Sequence, residues 1–256
     1  MNTIISSEQA LGQKQVIVRL LSTDDEMQAC VRLQQPVWQS SELEVVPHHI
    51  FIVAQRIGGQ VLGAFEGSQM LGFVLAFPGV RTGRIYLHSH MTVVLPEHQN
   101  RGIGRQLKLA QRDDALARGI DLIEWTFDPL QLRNAYFNIV RLRVIVRQYL
   151  PNVYGRTSSS LDAGLPTDRL VAQWWIREHG VRQVLGNQSL RASGEVHRIR
   201  LPRRIREICS TDPERARQVQ LRLSEEFQQH LHGSWAVTGF ELDEQYGSYL
   251  LEQYED

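Results

Sequence analysis

Cysteine and lysine are almost missing from this sequence of 256 residues. The two cysteines, Cys30 and Cys209, lie far apart and match no metal-ligand spacing, which excludes a disulfide framework and leaves no metal site to expect. Cys30 falls among apolar positions of helical spacing and reads as a buried thiol, which fits a reducing cytoplasm. Lysine occurs only as Lys14 and Lys108, the other basic residues being arginine. An excess of either charge is also missing, since 28 basic and 28 acidic residues cancel. A dedicated nucleic-acid binder normally carries a basic surplus. No run reaches the roughly 18 apolar residues of a membrane span. The stretch "MNTIISSEQALGQKQ" lacks the basic and apolar regions of a signal peptide. A cytoplasmic protein with neither nucleic acid nor membrane as partner is expected. The length is ample for a sizeable core.

What is present is an alternation of strands and helices. "VIVRLL" (16–21) reads as a strand, and Thr23 with Glu26 forms a capping box for a helix expected to end near Pro36. "EVVPHHIFIVAQRIGG" predicts a second helix. "QVLGAFEGSQMLGFVLAFPG" predicts a hairpin turning at residues 66–68, and "RIYLHSHMTVVL" (84–95) a longer strand. A helix over 103–118, stopped by Gly119, leads to a strand at 120–127. Asp128, Pro129 and Gln131 then look like the start of another helix, carrying Leu132, Tyr136, Ile139 and Val140. "RVIVRQYL" and "DRLVAQWWI" predict strands around a long loop rich in turn residues. Beyond residue 180 a smaller unit is expected. It holds a strand at "VHRIRLP", a helix capped by Thr211, and strands near 235–240 and 249–251.

The chemistry concentrates in "QNRGIGR" (99–105), between the long strand and its helix. Gly102 and Gly104 let backbone approach a ligand without a Cβ clash. Free amides of the helix's first turn and its dipole favour an anion such as pyrophosphate there. Arg101 and Arg105 could add charge-assisted contacts. The third glycine of a dinucleotide fingerprint is absent, and so are the lysine and hydroxyl of a P-loop. The strand–helix–strand order requires a crossover and at least one parallel pair.

These features resemble the Gcn5-related N-acetyltransferases (GNAT). The family signature Q/R-x-x-G-x-G/A is met by Gln99, Gly102 and Gly104 after a long strand, and the order of elements agrees over about residues 16–176. "HSHM", "WTFDPL..RNAYFN", "YG" and "LP.DR" resemble a little-characterised branch with a C-terminal extension. The resemblance implies an α/β (α+β) fold. Its sheet would be mixed, mostly antiparallel and splayed between strands four and five, with helices on both sides. Residues 1–180 would bind acyl-CoA, and 181–256 would form a small α+β extension that caps the acceptor site or makes a homodimer contact. The implied co-substrate is acetyl-CoA or another acyl-CoA. Its pyrophosphate would rest on Gln99, Asn100, Arg101, Gly102, Ile103, Gly104 and Arg105. Its pantetheine arm would run along Thr92, Val93 and Val94, flanked by Asn134 and Phe137.

The implied reaction is N-acyl transfer to a small-molecule or peptide amine by direct attack. That needs a base for the amine and donors for the oxyanion and thiolate. The family's usual glutamate is missing from "YLHSHMTVV", which offers His88 and His90, expected on one face with Thr92 and Val94. Ile139 stands at the family's tyrosine position. Tyr154 is the candidate acid, with Tyr136 next. Glu124 is a further candidate base or else an exposed strand residue. Trp125, Trp174 and Trp175 line an acceptor pocket or belong to the core; Arg169 pairs with a substrate carboxylate or with a surface charge. The alternative reading is a catalytically inactive CoA-binding module acting in regulation or assembly.

Overall fold

A computed structural model describes residues 15–38, 44–155, 164–177 and 195–254. The expected boundary at 180–181 and the middle of the long loop lie outside the described residues. The described residues form one mixed sheet of ten strands, in the order β1-β2-β3-β4-β5-β7-β6-β9-β10-β8. The strands are β1 (Val16–Leu20), β2 (Gln60–Glu66), β3 (Gln69–Arg81), β4 (Arg84–Val94) and β5 (Leu122–Phe127). They continue with β6 (Ile145–Leu150), β7 (Arg169–Trp175), β8 (His197–Pro202), β9 (Trp235–Leu242) and β10 (Tyr246–Gln253). Every pair is antiparallel except β4–β5. That pair is linked by helix α3 (Ile103–Ala117), the crossover that the element order demanded.

Helices α1 (Asp24–Trp38) and α2 (His48–Arg56) cover one face of β2–β4, around Phe51, Phe73 and Val93. On the other face lie α3, α4 (Leu132–Ala135), α5 (Ile205–Thr211) and α6 (Pro213–His230). The capping box forms as read. Thr23 Oγ1 accepts from the Glu26 amide at 3.3 Å, and Glu26 Oε2 accepts from the Thr23 amide at 3.1 Å. Gly119 closes α3 at φ 75°, a left-handed conformation that glycine adopts without strain. The C-terminal strands extend the same sheet, joining through the pair Val146–Val237. Ile199, Leu201, Phe240 and Tyr249 share one core with Leu87, Ile123 and Trp125.

Four local expectations are corrected. Helix α1 runs through Pro36 to Trp38, where the missing amide costs only one bond in the last turn. Asp128 does not cap a helix: its Oδ1 accepts from the Leu130 amide at 2.8 Å in a side-chain turn, and α4 begins only at Leu132. Residues Tyr136–Arg141 continue α4 as a π-helix, which buries the neighbours Asn138 and Ile139 together. Thr211 ends α5, a seven-residue helix with no cap signal in its sequence, and Asp212 caps α6 by accepting from the Arg215 amide.

The site is positioned by the opening between β4 and β5. The two strands pair only at Leu87–Ile123 and His88–Glu124 and then diverge. β4 also carries a bulge. Leu75 pairs with Met91 and Ala76 with Ser89, so His90 is the extra residue. The bulge splits a run that alternation alone would keep together. Leu87 packs with β5, and Ser89 bonds Lys108 on α3, whereas Met91 and Val93 pack with α1 and α2. His88 and His90 therefore do not share a face with Thr92 and Val94. They stay close to one another, ring centroids 6.3 Å apart, beside Phe77 on the α1–α2 side. Val94 packs instead with Ile103 and Leu107 of α3.

Candidate active site

A cleft of about 990 Å³ runs from the Gln99–Arg105 turn into the gap between β4 and β5. Its outer end is the start of α3. Gly102 sits at φ 81° and ψ 2°, and no side chain caps the helix. The first-turn amides thus lack partners within the helix. A Cβ built on Gly102 meets nothing within 4 Å, and one on Gly104 meets only Val94 Cγ2 at 3.9 Å. Both glycines leave open space in front of those amides, which fits an anionic phosphate group. Gln99, Asn100, Ile103 and Arg105 border the same space. Arg101 does not: its guanidinium is held by Glu66 Oε1 at 2.9 Å and His98 Nδ1 at 2.7 Å, away from the cleft. Asn100 accepts from Arg133 at 2.7 Å, which brings a second arginine to this rim.

The walls come from β4, β5 and α4. Leu95 donates its amide to Leu71 on the β3 side, so Thr92 and Val94 turn their backbone groups toward the opening. Gln99 Nε2 donates to the Val94 carbonyl at 3.1 Å, leaving the Val94 amide and both Thr92 groups facing the gap. The Val93 side chain is buried with α1 and α2. Asn134, Phe137 and Asn138 of the α4 segment line the opposite wall.

Lys108 stands on the α3 wall, missed by the sequence reading. It is one of eleven described polar side chains that are buried. Its Nζ donates to Ser89 Oγ at 2.7 Å and Gln111 Oε1 at 3.1 Å, and lies 3.8 Å from the centre of the Trp125 ring. Burial lowers its pKa to about 7. The signal available in the sequence was its rarity: a lysine kept in an arginine-rich chain, beside the helical stripe of Ile103, Leu107 and Ala115.

The catalytic candidates fall into two groups. His90 and Tyr154 line the cleft; His88 and Glu124 lie behind them. Burial lowers the pKa of both histidines; the neighbouring ring of His88 adds to this for His90. Each is therefore neutral near pH 7 and able to accept a proton. Glu124 is not an exposed strand residue. It is buried, gripped by both Arg81 nitrogens at 2.8 Å, and accepts from Gln173 at 2.9 Å. Tyr154 is placed through its loop. Asp168 accepts from Tyr149 Oη at 2.6 Å and the Asn152 amide at 2.8 Å, and Thr167 Oγ1 accepts from the Tyr154 amide at 2.9 Å. The phenol then shares a 3.0 Å hydrogen bond with Thr126 Oγ1, with the Arg169 guanidinium 5.4 Å from its ring centre. Asp168→Ala should remove about 2–3 kcal/mol of stability by taking away the acceptor of the buried Tyr149 hydroxyl and releasing the loop. Urea unfolding checks this; an unchanged midpoint contradicts it.

The other aromatic candidates are mainly structural. Trp125 and Trp174 are both buried and meet edge to face, ring centres 6.1 Å apart. Of Trp125, Trp174 and Trp175 only Trp125 borders the cleft, together with Trp38 of α1. Tyr136 packs against the core, and Ile139 is 1% exposed. Among the described residues no three histidine, cysteine or acidic side chains converge as a metal site, and no helix is long and apolar enough to cross a membrane. Cys30 is a buried thiol, its pKa pushed up to about 12 by burial.

The family model described as acetyltransferase (GNAT) family matches residues 22–137. No curated protein sequence matches the chain. Among solved structures, the chain is similar to the ribosomal-protein-S18-alanine N-acetyltransferase of Escherichia coli, at 15% identity and a TM-score of 0.51, covering 63% of this chain and 94% of that one. An N-acetyltransferase of Staphylococcus aureus Mu50 gives 13% and 0.51, covering 64% and 99%. The protein yncA of Salmonella typhimurium, solved with its cofactor acetyl-CoA, gives 17% and 0.50, covering 64% and 96%. At these identities the likeness is one of fold. The family match covers residues 22–137 of the 256, the stretch from the start of α1 into the α4 segment.

Proposed function

We propose that the chain is an acyltransferase that moves the acetyl group of acetyl-CoA, or a related acyl group, onto a primary amine by direct attack. The observation that carries this reading is the continuity of the cleft. An uncapped helix start with two open glycines leads straight into a strand gap, which the Val94 amide and the Thr92 backbone face beyond the last β4–β5 pair. The pyrophosphate would take the amides of residues 102–105, and the pantetheine arm would pair with Thr92 and Val94. The amine would enter from the side of His90 and Tyr154, with His90 the nearer base and His88 behind it. Glu124 would act on His88 through charge, since its own oxygens are engaged.

The test is calorimetric titration with acetyl-CoA followed by thiol release against a panel of small amines and peptide N-termini. Saturable binding with turnover on at least one class is expected. No binding to acetyl-CoA would refute the reading. Binding without turnover would favour a CoA-binding module without catalysis. Two observations favour that second reading: no carboxylate on β4, and Ile139 buried where the resemblance places a tyrosine.

A further inference from the structure

Lys108 has no part in the proton transfers described so far, yet it occupies the deep end of the cleft. Its contacts are Ser89, Gln111 and Trp125, none of them a carboxylate. A buried ammonium without a counter-ion is costly to the fold and is rarely kept without a use. Its depth is informative. Ser89 lies five residues up β4 from Val94, roughly 16 Å at about 3.3 Å per residue. An arm laid along β4 from the phosphate turn ends at this level. Trp125 on β5 and Asn138 on the α4 segment border the same depth. Phenols are lacking there: Tyr154 bonds Thr126 on the other face of the sheet, and Ile139 is in the core.

We propose that Lys108 is a catalytic residue, whose ammonium meets the sulfur of the acyl-CoA donor and gives the departing thiolate its proton. The assignment rests on the acyl-CoA reading above. In the step, the amine nitrogen bonds to the acyl carbon and the carbon–sulfur bond breaks. Its electron pair goes to sulfur, and the Lys108 proton follows to make the free thiol. The proton that the amine loses passes to His90, and Lys108 regains one from water as the product leaves. Tyr154 is then left to the acceptor side.

The surroundings fit a group that exchanges a proton near neutrality. Burial is the sole cause that lowers its pKa. On β4, His88 senses the charge of Lys108. On β5, Glu124 is committed to Arg81. On α3 itself, Asp114 is engaged by Gln60 and Arg118. The α4 segment faces it with the neutral Asn134 and Asn138.

The test compares free CoA with desulfo-CoA, which lacks the sulfur, on wild type, Lys108→Met and Lys108→Arg, each first shown to melt cooperatively. The ultraviolet thiolate band of bound CoA is followed against pH. Below about pH 7, where Lys108 still carries its proton, the thiolate fraction of CoA bound to wild type should be about tenfold that on Lys108→Met, a shift that only a charge beside the sulfur produces. Lys108→Arg should keep most of that shift, and desulfo-CoA should bind wild type and Lys108→Met alike. Equal thiol titration on wild type and Lys108→Met overturns the assignment and leaves the acyl-CoA reading standing. So does acetylation of Lys108 itself by acetyl-CoA, seen by mass spectrometry, because the amine is then a nucleophile. Failure of wild type to bind either compound overturns both.

Discussion

Lys108→Met should flatten a rise in stability that the wild type shows between about pH 7 and 10. The folded protein holds this side chain with a pKa near 7, against 10.5 for an unperturbed lysine. Below pH 7 both folded and unfolded chains carry the charge, and the folded one bears the full cost of burying it. Above pH 7 the folded chain loses the proton while the unfolded chain keeps it. The unfolded state then binds more protons, so stability must increase with pH, by up to about 1.4 kcal/mol per unit for one group. Methionine has no proton to lose. It also leaves Ser89 and Gln111 without their donor, a penalty of roughly 1–3 kcal/mol that does not vary with pH over this window. The diagnostic is therefore the difference in slope. Urea unfolding from pH 6.5 to 9.5 measures it, and parallel curves for the two proteins would show that Lys108 is not held as described.

Gly104→Leu should leave the fold intact and weaken acetyl-CoA binding by about 10- to 100-fold. The new Cβ meets only Val94 Cγ2 at 3.9 Å, an ordinary contact. Leucine is also a better helix former than glycine by up to about 1 kcal/mol. The rest of the side chain, however, would stand in the open space before the first-turn amides. Displacing a phosphate from one charge-assisted hydrogen bond there costs about 1.5–3 kcal/mol. Calorimetry on the variant, with a melting curve alongside, checks both halves. An unchanged Kd would mean that the donor does not lie across this turn.

How much of this was legible depended on whether the cause was local. The Thr23–Glu26 box, the hairpin at 66–68 and the Gly119 stop are set by residues within a turn of one another, and each was readable. The crossover followed from chain geometry alone. The bulge at His90 did not, because it exists only in the register of β3 against β4. Alternation along one strand put the two histidines on the wrong face. Glu124 likewise needed Arg81, which lies on another strand and folds back over it. Lys108 looked like any polar position on an amphipathic helix, since only β4 and β5 together bury it. The donor turn was thus visible in the sequence, while the groups that would handle protons were arranged by pairings across the sheet.

The C-terminal strands bear on that arrangement too. Tyr249, fully buried on β10, donates its hydroxyl to the Pro129 carbonyl at 2.7 Å, and Gly247 lies against Leu132 where α4 begins. The turn that launches the far wall of the cleft is therefore braced from outside the segment that matches the family. The solved proteins cited above are covered almost end to end by less than two-thirds of this chain. In this chain β10 serves as a buttress for that turn. Removing β10 would pull a prop from beneath Asn134 and Phe137, so the family match and the architecture end at different places along the chain.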